Sequence, residues 1–299
     1  MTTTTDARRT LGPWKLPPIG LGAAGFSVGA PPPLEQAITT IRAAIDAGVR
    51  LIDTAACYVP RHDAPGDNET IIATALDGLG RDDVVVATKA GIRRTASGGT
   101  IATDFTGDAS PAALRDQCEI SLRALNVDSL DIFQLHSPDP AVPLVESVGA
   151  MRELQVVGKV REIGLCNVTL DQLAEARGVT AIASVQNRLS AGHRENLELA
   201  RACAEDGIAF VAYSPLGGLG AGARGLGQQN PAFEQIGNAH GVSAQRVALA
   251  WLLRASENII PIPGCRREAT VLDSVAAVGL ELDDDELALL DQETPGAGA

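Results

Sequence analysis

The sequence predicts an α/β fold, a single (β/α)8 TIM barrel. Short apolar runs rich in β-branched residues alternate with longer amphipathic segments, and eight such pairs fit within 299 residues. Strand–helix alternation implies a parallel sheet, and eight units in this length favour a closed barrel over an open doubly wound sheet. No Ser-, Gly- or Pro-rich linker divides the sequence, so we expect one domain over 1–299 with a core at about 16–291.

The predicted strands are bounded by Gly, Asp or Asn, as buried parallel strands often are. In chain order they are residues 18–21, 50–53, 84–88, 130–135, 160–165, 184–186, 208–213 and 259–262. The segments between and after them carry apolar residues at helical spacing. The predicted helices are residues 34–47, 69–79, 111–125, 142–157, 170–177, 194–206, 244–255 and 286–291. Ser110 is a suitable N-cap before Pro111, which supports the third helix.

Composition excludes several classes of protein. The chain has 24 basic and 37 acidic residues, a net charge of −13, which argues against non-specific binding to nucleic acid or to anionic membranes. No export signal is present, and the five cysteines show no CxxC spacing, so we expect a cytoplasmic protein with reduced thiols. No spacing typical of a metal site occurs in the sequence. Few lysines with abundant Ala, Gly and Arg would suit a high-GC bacterial genome.

Two stretches, residues 20–25 and 220–225, match the dinucleotide-binding pattern GxGxxG literally. That fingerprint requires its third glycine to open a helix. Three consecutive prolines follow the first stretch closely, and LGQQNP, which lacks helical character, follows the second. Both stretches are therefore interpreted as glycine-rich loops at the barrel mouth, and any nucleotide would bind by other contacts.

Titratable side chains follow three consecutive predicted strands. Asp53 ends the second strand and Tyr58 lies in its loop, whereas Lys89 and His136 end the third and fourth. The C-terminal strand ends of a parallel barrel share one mouth, so these four residues are expected to cluster there. Each also has an ordinary explanation as a loop cap, a packed ring, a solvated rim lysine or a core histidine. The coincidence of all four favours a catalytic site.

The chemistry of this set suits reduction of a carbonyl group. A free phenol has a pKa of about 10, and a nearby ammonium is expected to lower it so that Tyr58 can shuttle a proton. Asp53 would pair with the buried Lys89, and His136 would donate a hydrogen bond to the carbonyl oxygen. Lys89 as a Schiff-base nucleophile of a lyase is the competing interpretation.

The chain resembles the aldo-keto reductase superfamily, as a bacterial member of unassigned sub-family, from about residue 19 to residue 291. The motifs that carry the resemblance are DTAACY at 53–58, NE at 68–69, TK at 88–89, LDIFQLH at 130–136, GKVREIG at 158–164, VQN at 185–187, YSPLG at 213–217 and IPG at 262–264. The resemblance implies a barrel that binds NADPH without a Rossmann fingerprint. It also implies a catalytic tetrad of Asp53, Tyr58, Lys89 and His136.

The resemblance further implies cofactor contacts, residue by residue. Asn167 and Gln186 match the groups that hold the nicotinamide carboxamide, and Tyr213 matches the ring that stacks on the nicotinamide. Ser214 and Leu216 match contacts to the pyrophosphate, and the glycines of 217–227 match a loop that folds over the cofactor. The remaining predicted cofactor positions are Cys166, Gly264, Arg266, Arg267, Thr270, Asp273 and Ser274.

The sequence departs from the family pattern at two places in this set. Cys166 replaces the usual serine, and a thiol is the weaker hydrogen-bond donor. Where the family often has Arg followed by Glu-Asn at the 2′-phosphate site, this chain has Thr270, Asp273 and Ser274. Arg266 and Arg267 are the alternative phosphate ligands, although a solvated rim is the ordinary role of such arginines. NADPH is therefore the expected cofactor, and NADH is a possible one.

The expected function is reversible, NADPH-dependent reduction of an aldehyde or ketone, with pyridoxal, a sugar or a natural-product carbonyl as the small-molecule substrate. The alternatives are an NADPH-binding regulatory subunit of the same fold and the Schiff-base lyase. The short tail after residue 291 predicts an open mouth, and the loop at 59–67 looks longer than usual. The predicted pocket residues are Phe26, Val59, Ile92, Arg93, Phe105 and those of the loop after His136.

Overall fold

Eight parallel strands curl into a barrel in the computed structural model, which describes residues 8–60, 65–80, 83–95, 104–218, 223 and 225–292. The strands are β1 (Leu21–Gly22), β2 (Leu51–Asp53), β3 (Val85–Ala90), β4 (Leu130–Leu135), β5 (Val160–Cys166), β6 (Ser184–Arg188), β7 (Ala209–Tyr213) and β8 (Ile259–Pro261). Each pairs with its neighbours in chain order. All eight predicted strands are confirmed, with boundaries shifted by a few residues.

The barrel closes between β1 and β8. The backbone N–H of Gly20 donates to the Pro261 carbonyl at 3.0 Å, and that of Gly22 donates to the Pro263 carbonyl at 3.1 Å. A parallel bridge also joins Gly22 to Gly264. A Cβ at position 22 would lie 2.8 Å from the Ile262 carbonyl oxygen, so the close approach of these segments requires glycine there.

Helices cover the outside of the barrel. They are α1 (Leu34–Asp46), α2 (Asp67–Leu76), α3 (Pro111–Leu125), α4 (Leu144–Val156), α5 (Leu170–Arg177), α6 (Leu197–Glu205), α7 (Leu226–Gln229), α8 (Pro231–His240), α9 (Ala244–Ala255), α10 (Glu268–Val275) and α11 (Asp284–Gln292). The eight predicted helices are all present, and Ser110 caps α3 through a bond from Ala113 N–H. None of the helices in the described ranges is long and apolar enough to cross a membrane.

Helices α7, α8 and α10 were not predicted. The expectation that the residues after Gly225 lack helical character is wrong, because α7 forms one turn there and α8 follows it. Pro231 is the first residue of α8 and Gly241 ends it in a left-handed conformation, both ordinary boundary signals. Residues 24–26 form only a short 3₁₀ turn, which confirms that the first glycine motif opens no long helix. Part of the second motif, residues 220–222 and 224, lies outside the described residues.

Two apolar layers follow from the alternation of side chains along each strand. One layer lies between the strands and the helices and includes Ile52, Val86 and Phe133. The other is a separate cluster whose members in or next to the strands are Leu51, Val85, Ala87, Ile132, Ala183, Ala209, Val211, Ile260 and Ile262. An antiparallel hairpin of Arg9–Leu11 and Trp14–Leu16 contributes Leu11 and Leu16 to this second cluster. We interpret this cluster as the barrel interior, closed at its N-terminal end by the hairpin.

Candidate active site

Polar side chains continue the interior face of the strands at their C-terminal ends. Because side chains alternate along a strand, Asp53 shares a face with Leu51, and Lys89 shares one with Val85 and Ala87. The same rule places Gln134 two residues beyond Ile132, with His136 next on the same side. The sequence of β2, β3 and β4 thus changes from apolar to polar along one face. This change builds a polar site on top of the apolar interior.

Lys89 and Asp53 form a buried ion pair at the centre of this site. Their side chains approach to 2.6 Å between Nζ and Oδ2, and the residues are only 1% and 4% exposed. Lys89 Nζ also donates to the Thr54 carbonyl at 2.8 Å and to Tyr58 Oη at 3.4 Å. All three protons of the ammonium therefore have acceptors, which makes a buried charge tolerable.

Burial and the charges around Tyr58 contradict the expectation that its pKa is lowered. Burial lowers the pKa of Lys89, but the Asp53 carboxylate together with smaller contributions from Tyr58 and Cys166 outweighs burial, and the net pKa lies above its ordinary value. Burial raises the pKa of Tyr58 well above its ordinary value, and the Lys89 ammonium only partly opposes that shift. The expected net lowering of the Tyr58 pKa is therefore wrong for the protein without ligand. Tyr58 is therefore a neutral phenol that can act as a proton donor.

The loop that carries Tyr58 is held by Asn68 at the start of α2. Asn68 Nδ2 donates to the Ala23 carbonyl at 2.9 Å and to Ser27 Oγ at 2.6 Å. Thr54 Oγ1 donates to Asn68 Oδ1 at 2.7 Å, and Ser27 Oγ donates to the Tyr58 carbonyl at 2.7 Å. This buried amide joins the loops after β1 and β2, and so positions the phenol against Lys89.

His136 completes the group at the end of β4. Its ring meets the Tyr58 ring edge-on, with 5.7 Å between centroids and an interplanar angle of 83°. Nδ1 lies 3.5 Å from Cys57 Sγ. Burial, reinforced by the Lys89 ammonium, lowers the pKa of His136 to about 3. The imidazole is therefore neutral at physiological pH, and the structure places all four predicted catalytic residues together.

The second oxygen of Asp53 accepts from two amides. Gln186 Nε2 donates to Asp53 Oδ1 at 2.7 Å, and Gln134 Nε2 donates to it at 3.3 Å. Cys166 Sγ lies 3.4 Å from Gln134 Oε1 and donates to it. A Cβ at Gly164 would lie 2.8 Å from Gln134 Cγ, so glycine leaves the space that this amide occupies. Gln134 was not predicted as a site residue, although its position between Ile132 and His136 was the available signal.

One large cavity adjoins these residues, with a volume of about 1050 Å³. Its wall includes Asp53, Tyr58 and His136 at one end. The predicted cofactor residues that also line it are Cys166, Asn167, Gln186, Tyr213, Ser214, Leu216, Gly264, Arg266, Arg267 and Thr270. The volume is at the upper end of ligand pockets, about 300–1,000 Å³, as an extended ligand requires.

Two residues of this wall have left-handed backbones. Asn167, just after β5, has φ of 56°, and Ser214, just after β7, has φ of 50°. Asn167 Nδ2 donates to the His136 carbonyl at 2.8 Å, and Tyr213 Oη donates to Asn167 Oδ1 at 2.9 Å. Residues other than glycine rarely adopt this conformation, and such strain is concentrated at functional sites. The backbone turns here bring the side chains of three strand ends to one wall.

The two arginines of the cavity wall differ in their contacts. Arg266 Nε donates to the Gly25 carbonyl at 3.1 Å, and its Nη2 donates to the Val28 carbonyl at 3.4 Å. Arg266 thereby joins the loop after β8 to the loop after β1. Arg267 is exposed at the start of α10. The donors on this wall, two guanidinium groups and the Asn167 amide, fit an anionic dinucleotide.

Asp273 and Ser274 were predicted to contact the cofactor, but their side chains have other partners. Asp273 forms an ion pair with Arg246 at 2.6 Å and accepts a bond from Ser243 Oγ at 2.6 Å. Ser274 is buried, with its Oγ 3.6 Å from Cys265 Sγ. Neither residue lines the cavity as the described part of the chain forms it. In this structure Asp273 joins α9 to α10 instead.

The predicted substrate pocket is only partly reproduced. Phe105 lines the cavity, on a hairpin formed by Ile92–Arg94 and Phe105–Gly107. Phe26 and Val59 are instead buried in the protein. The loop after His136 lines a neighbouring cavity of about 640 Å³, together with Asn167. Parts of the loops at 59–67 and 217–227, and the tail beyond residue 292, lie outside the described residues.

Comparison with known proteins agrees with this geometry. The profile of the Aldo/keto reductase family matches residues 18–293. The chain belongs to this family. Pyridoxine 4-dehydrogenase of Escherichia coli (strain K12) is 36% identical over 292 residues, 94% of this chain and 96% of the relative. As a family member, the chain is a nicotinamide-dependent oxidoreductase, and carbonyl reduction is its general reaction class.

Solved structures of the same family superpose over nearly the whole chain. An aldo-keto reductase from Klebsiella pneumoniae in complex with NADPH gives a TM-score of 0.80 at 29% identity, covering 98% of this chain and 97% of that one. A glycerol dehydrogenase from Gluconobacter oxydans gives a TM-score of 0.79 at 27% identity, covering 97% and 95%. The predicted (β/α)8 fold is confirmed.

Proposed function

We propose that this protein reduces a small aldehyde or ketone to the alcohol with NADPH, and that Tyr58 protonates the carbonyl oxygen. The observation that carries the proposal is the buried Lys89–Asp53 pair, with Tyr58 Oη 3.4 Å from Lys89 Nζ on the wall of the large cavity. A neutral phenol backed by a fixed ammonium can release a proton into a developing alkoxide.

The hydride and the proton have separate sources. When bound, a nicotinamide cofactor would supply the hydride for the carbonyl carbon. Tyr58 gives its proton to the carbonyl oxygen, and the phenolate left behind is stabilised by the Lys89 ammonium. Asp53 holds that ammonium in place, with its other oxygen bound by Gln186 and Gln134. Water then returns a proton to Tyr58.

Two arginines of the cavity wall support the choice of NADPH as cofactor. Arg266 and Arg267 each carry a guanidinium group, and a guanidinium pairs well with a phosphate monoester. The Klebsiella relative was solved with NADPH. We therefore infer that NADPH binds with its 2′-phosphate near these arginines and its nicotinamide near Tyr213, where Asn167 and Gln186 flank it.

The Schiff-base alternative has little support from the geometry. A lyase lysine must be a neutral amine to attack a carbonyl. The ammonium of Lys89 is instead engaged with Asp53, Thr54 and Tyr58, and its pKa lies above its ordinary value. Borohydride trapping with substrate, without nicotinamide, should therefore give no adduct.

The test is NADPH oxidation with a panel of pyridoxal, an aldose and an aliphatic ketone. Pyridoxal comes first because the Escherichia coli relative is a pyridoxine 4-dehydrogenase. Tyr58→Phe should lower kcat by about 10²–10⁴-fold, the usual contribution of a positioned proton donor. NADPH affinity, measured by fluorescence titration, should hardly change.

Tyr213→Phe is the matched control, because it removes a hydroxyl at the same mouth that contacts Asn167 rather than Lys89. Its kcat should stay within a few fold of the wild type. Full activity in Tyr58→Phe would disprove the assigned proton donor. Tight NADPH binding without turnover on the whole panel would favour the regulatory-subunit alternative.

A further inference from the structure

The contact between Cys57 and His136 has no role in the proton transfer described above. Cys57 directly precedes the proton donor and is buried, and its Sγ lies 3.5 Å from His136 Nδ1. That separation is an ordinary one for a thiol hydrogen bond, since sulfur is larger than oxygen or nitrogen. His136 lines the cavity together with Tyr58. A side chain that binds one imidazole nitrogen influences which nitrogen carries the proton.

The protonation states and the acceptor strengths of the two groups favour one direction for this hydrogen bond. A neutral imidazole has one donor and one acceptor nitrogen, and a thiol is a weak donor and a weak acceptor. Burial raises the pKa of Cys57 to about 12 and lowers that of His136 to about 3. At neutral pH the contact thus joins a protonated thiol to a neutral ring. An unprotonated imidazole nitrogen is a good hydrogen-bond acceptor whereas a thiol sulfur is a weak one, so we expect the thiol to donate to Nδ1.

We propose that the Cys57 thiol donates to His136 Nδ1 and thereby holds the imidazole in the tautomer that carries its proton on Nε2. Cys57 is then a positioning residue, and His136 presents a neutral N–H donor from the cavity wall. This inference rests on the proposed function, in which the carbonyl oxygen accepts the Tyr58 proton near His136.

The tautomer matters because a neutral histidine donates from one nitrogen only. With the proton on Nε2, His136 adds a second hydrogen-bond donor for the carbonyl oxygen, which builds up negative charge as the hydride arrives. With the proton on Nδ1, Nε2 would be an acceptor, and this nitrogen would compete with the substrate oxygen for the Tyr58 proton. No other described side chain shares a hydrogen bond with either ring nitrogen of His136.

The test is ¹⁵N NMR of the whole chain labelled at histidine, with the His136 signals assigned from their loss in His136→Gln. The wild type should show a protonated Nε2 and an unprotonated Nδ1. Cys57→Ala should shift His136 toward a mixture of tautomers. Cys57→Ser keeps a donor at the same position and should retain the wild-type pattern.

Activity provides the second measurement. In Cys57→Ala, kcat for carbonyl reduction should fall about tenfold, the loss expected for one hydrogen bond, with NADPH affinity unchanged. Cys57→Ser should recover most of that loss. Cys203→Ala is the matched control, because Cys203 is also buried but lies on α6, away from the cavity. It should change neither the tautomer nor kcat.

Two results would overturn the inference. One is a wild-type spectrum with the proton on Nδ1. The other is an equal fall of kcat in Cys57→Ala and Cys57→Ser with an unchanged tautomer, which would indicate a packing role. If Cys57→Ala does not fold, the wild-type and Cys57→Ser spectra decide alone. These spectra need no substrate, so a protein that reduces no carbonyl would disprove the proposed function without affecting this result.

Discussion

The barrel mouth has two parts whose functional groups are held by different forces. The catalytic part (Asp53, Tyr58, Lys89 and His136, after β2–β4) is held by a buried ion pair, a hydrogen bond from Lys89 to Tyr58 and an edge-on contact between the rings of Tyr58 and His136. The cofactor part (Asn167, Ser214, Arg266 and Arg267, after β5–β8) is held by left-handed backbone and by contacts to backbone carbonyls. In our proposal the first part carries out the chemistry, and the second presents donors to a large anion.

This difference predicts different consequences of substitution. Removing a group from the catalytic part leaves another buried group without its partner, so both folding and turnover should suffer. Removing an exposed donor from the cofactor part should affect ligand affinity and little else.

The largest effect is expected for Lys89→Met. The substitution leaves the Asp53 carboxylate buried without its ion pair, and should lower the free energy of unfolding by about 3–5 kcal/mol. Turnover should fall by at least about 100-fold, because the ammonium no longer stabilises the Tyr58 phenolate. Urea denaturation and NADPH oxidation measure the two effects.

Lys159→Met is the control for that experiment. Lys159 pairs with Glu119 on the surface, where its side chain is 42% exposed. Exposed pairs contribute little to stability, so stability and turnover should hardly change. Equal destabilisation by the two substitutions would contradict the interpretation that the catalytic part depends on a buried ion pair.

A smaller and more selective effect is expected for Arg267→Ala. It should weaken NADPH binding about tenfold, the value of one charge-assisted hydrogen bond, and leave NADH binding unchanged. Arg266→Ala should weaken both cofactors, since Arg266 also holds the Gly25 and Val28 carbonyls. Fluorescence titration of each variant with NADPH and with NADH measures these affinities. Loss of NADH binding in Arg267→Ala would show that the two arginines are not separable in this way.

The smallest effects are expected from pH. Tyr58 has a raised pKa and His136 one of about 3, so both stay neutral as the pH rises from 5 to the ordinary tyrosine value of about 10. The kcat for reduction should therefore be level over that range. The KM for NADPH should instead rise several-fold below about pH 6, where a phosphate monoester takes up a proton and loses charge.

Steady-state kinetics between pH 5 and pH 9 measure both quantities. Alcohol oxidation should show the opposite trend, because it needs the phenolate of Tyr58 as a base and so should accelerate as the pH rises. A fall of the reduction kcat between pH 7 and pH 9 would mean that Tyr58 loses its proton far more easily than its burial implies.

Much of this architecture was predictable from the sequence. Eight apolar runs predicted the eight strands, and the residues at their ends predicted which groups meet at the mouth. Helices α7, α8 and α10 were missed, although Pro231 and Gly241 mark the boundaries of α8. In α10, Thr270 and Val271 lower helix propensity, and packing of Val271 in the core outweighs that preference.

The sequence by itself determined the residue types of the site and their order, because alternation along a strand and the parallel arrangement are local rules. Only the tertiary structure decided how those groups behave. It showed that burial raises the pKa of Tyr58 despite Lys89, that Cys57 meets His136, and that Asp273 pairs with Arg246. These properties depend on distances across the closed barrel and on the exclusion of water, and both arise only when all eight strands are in place.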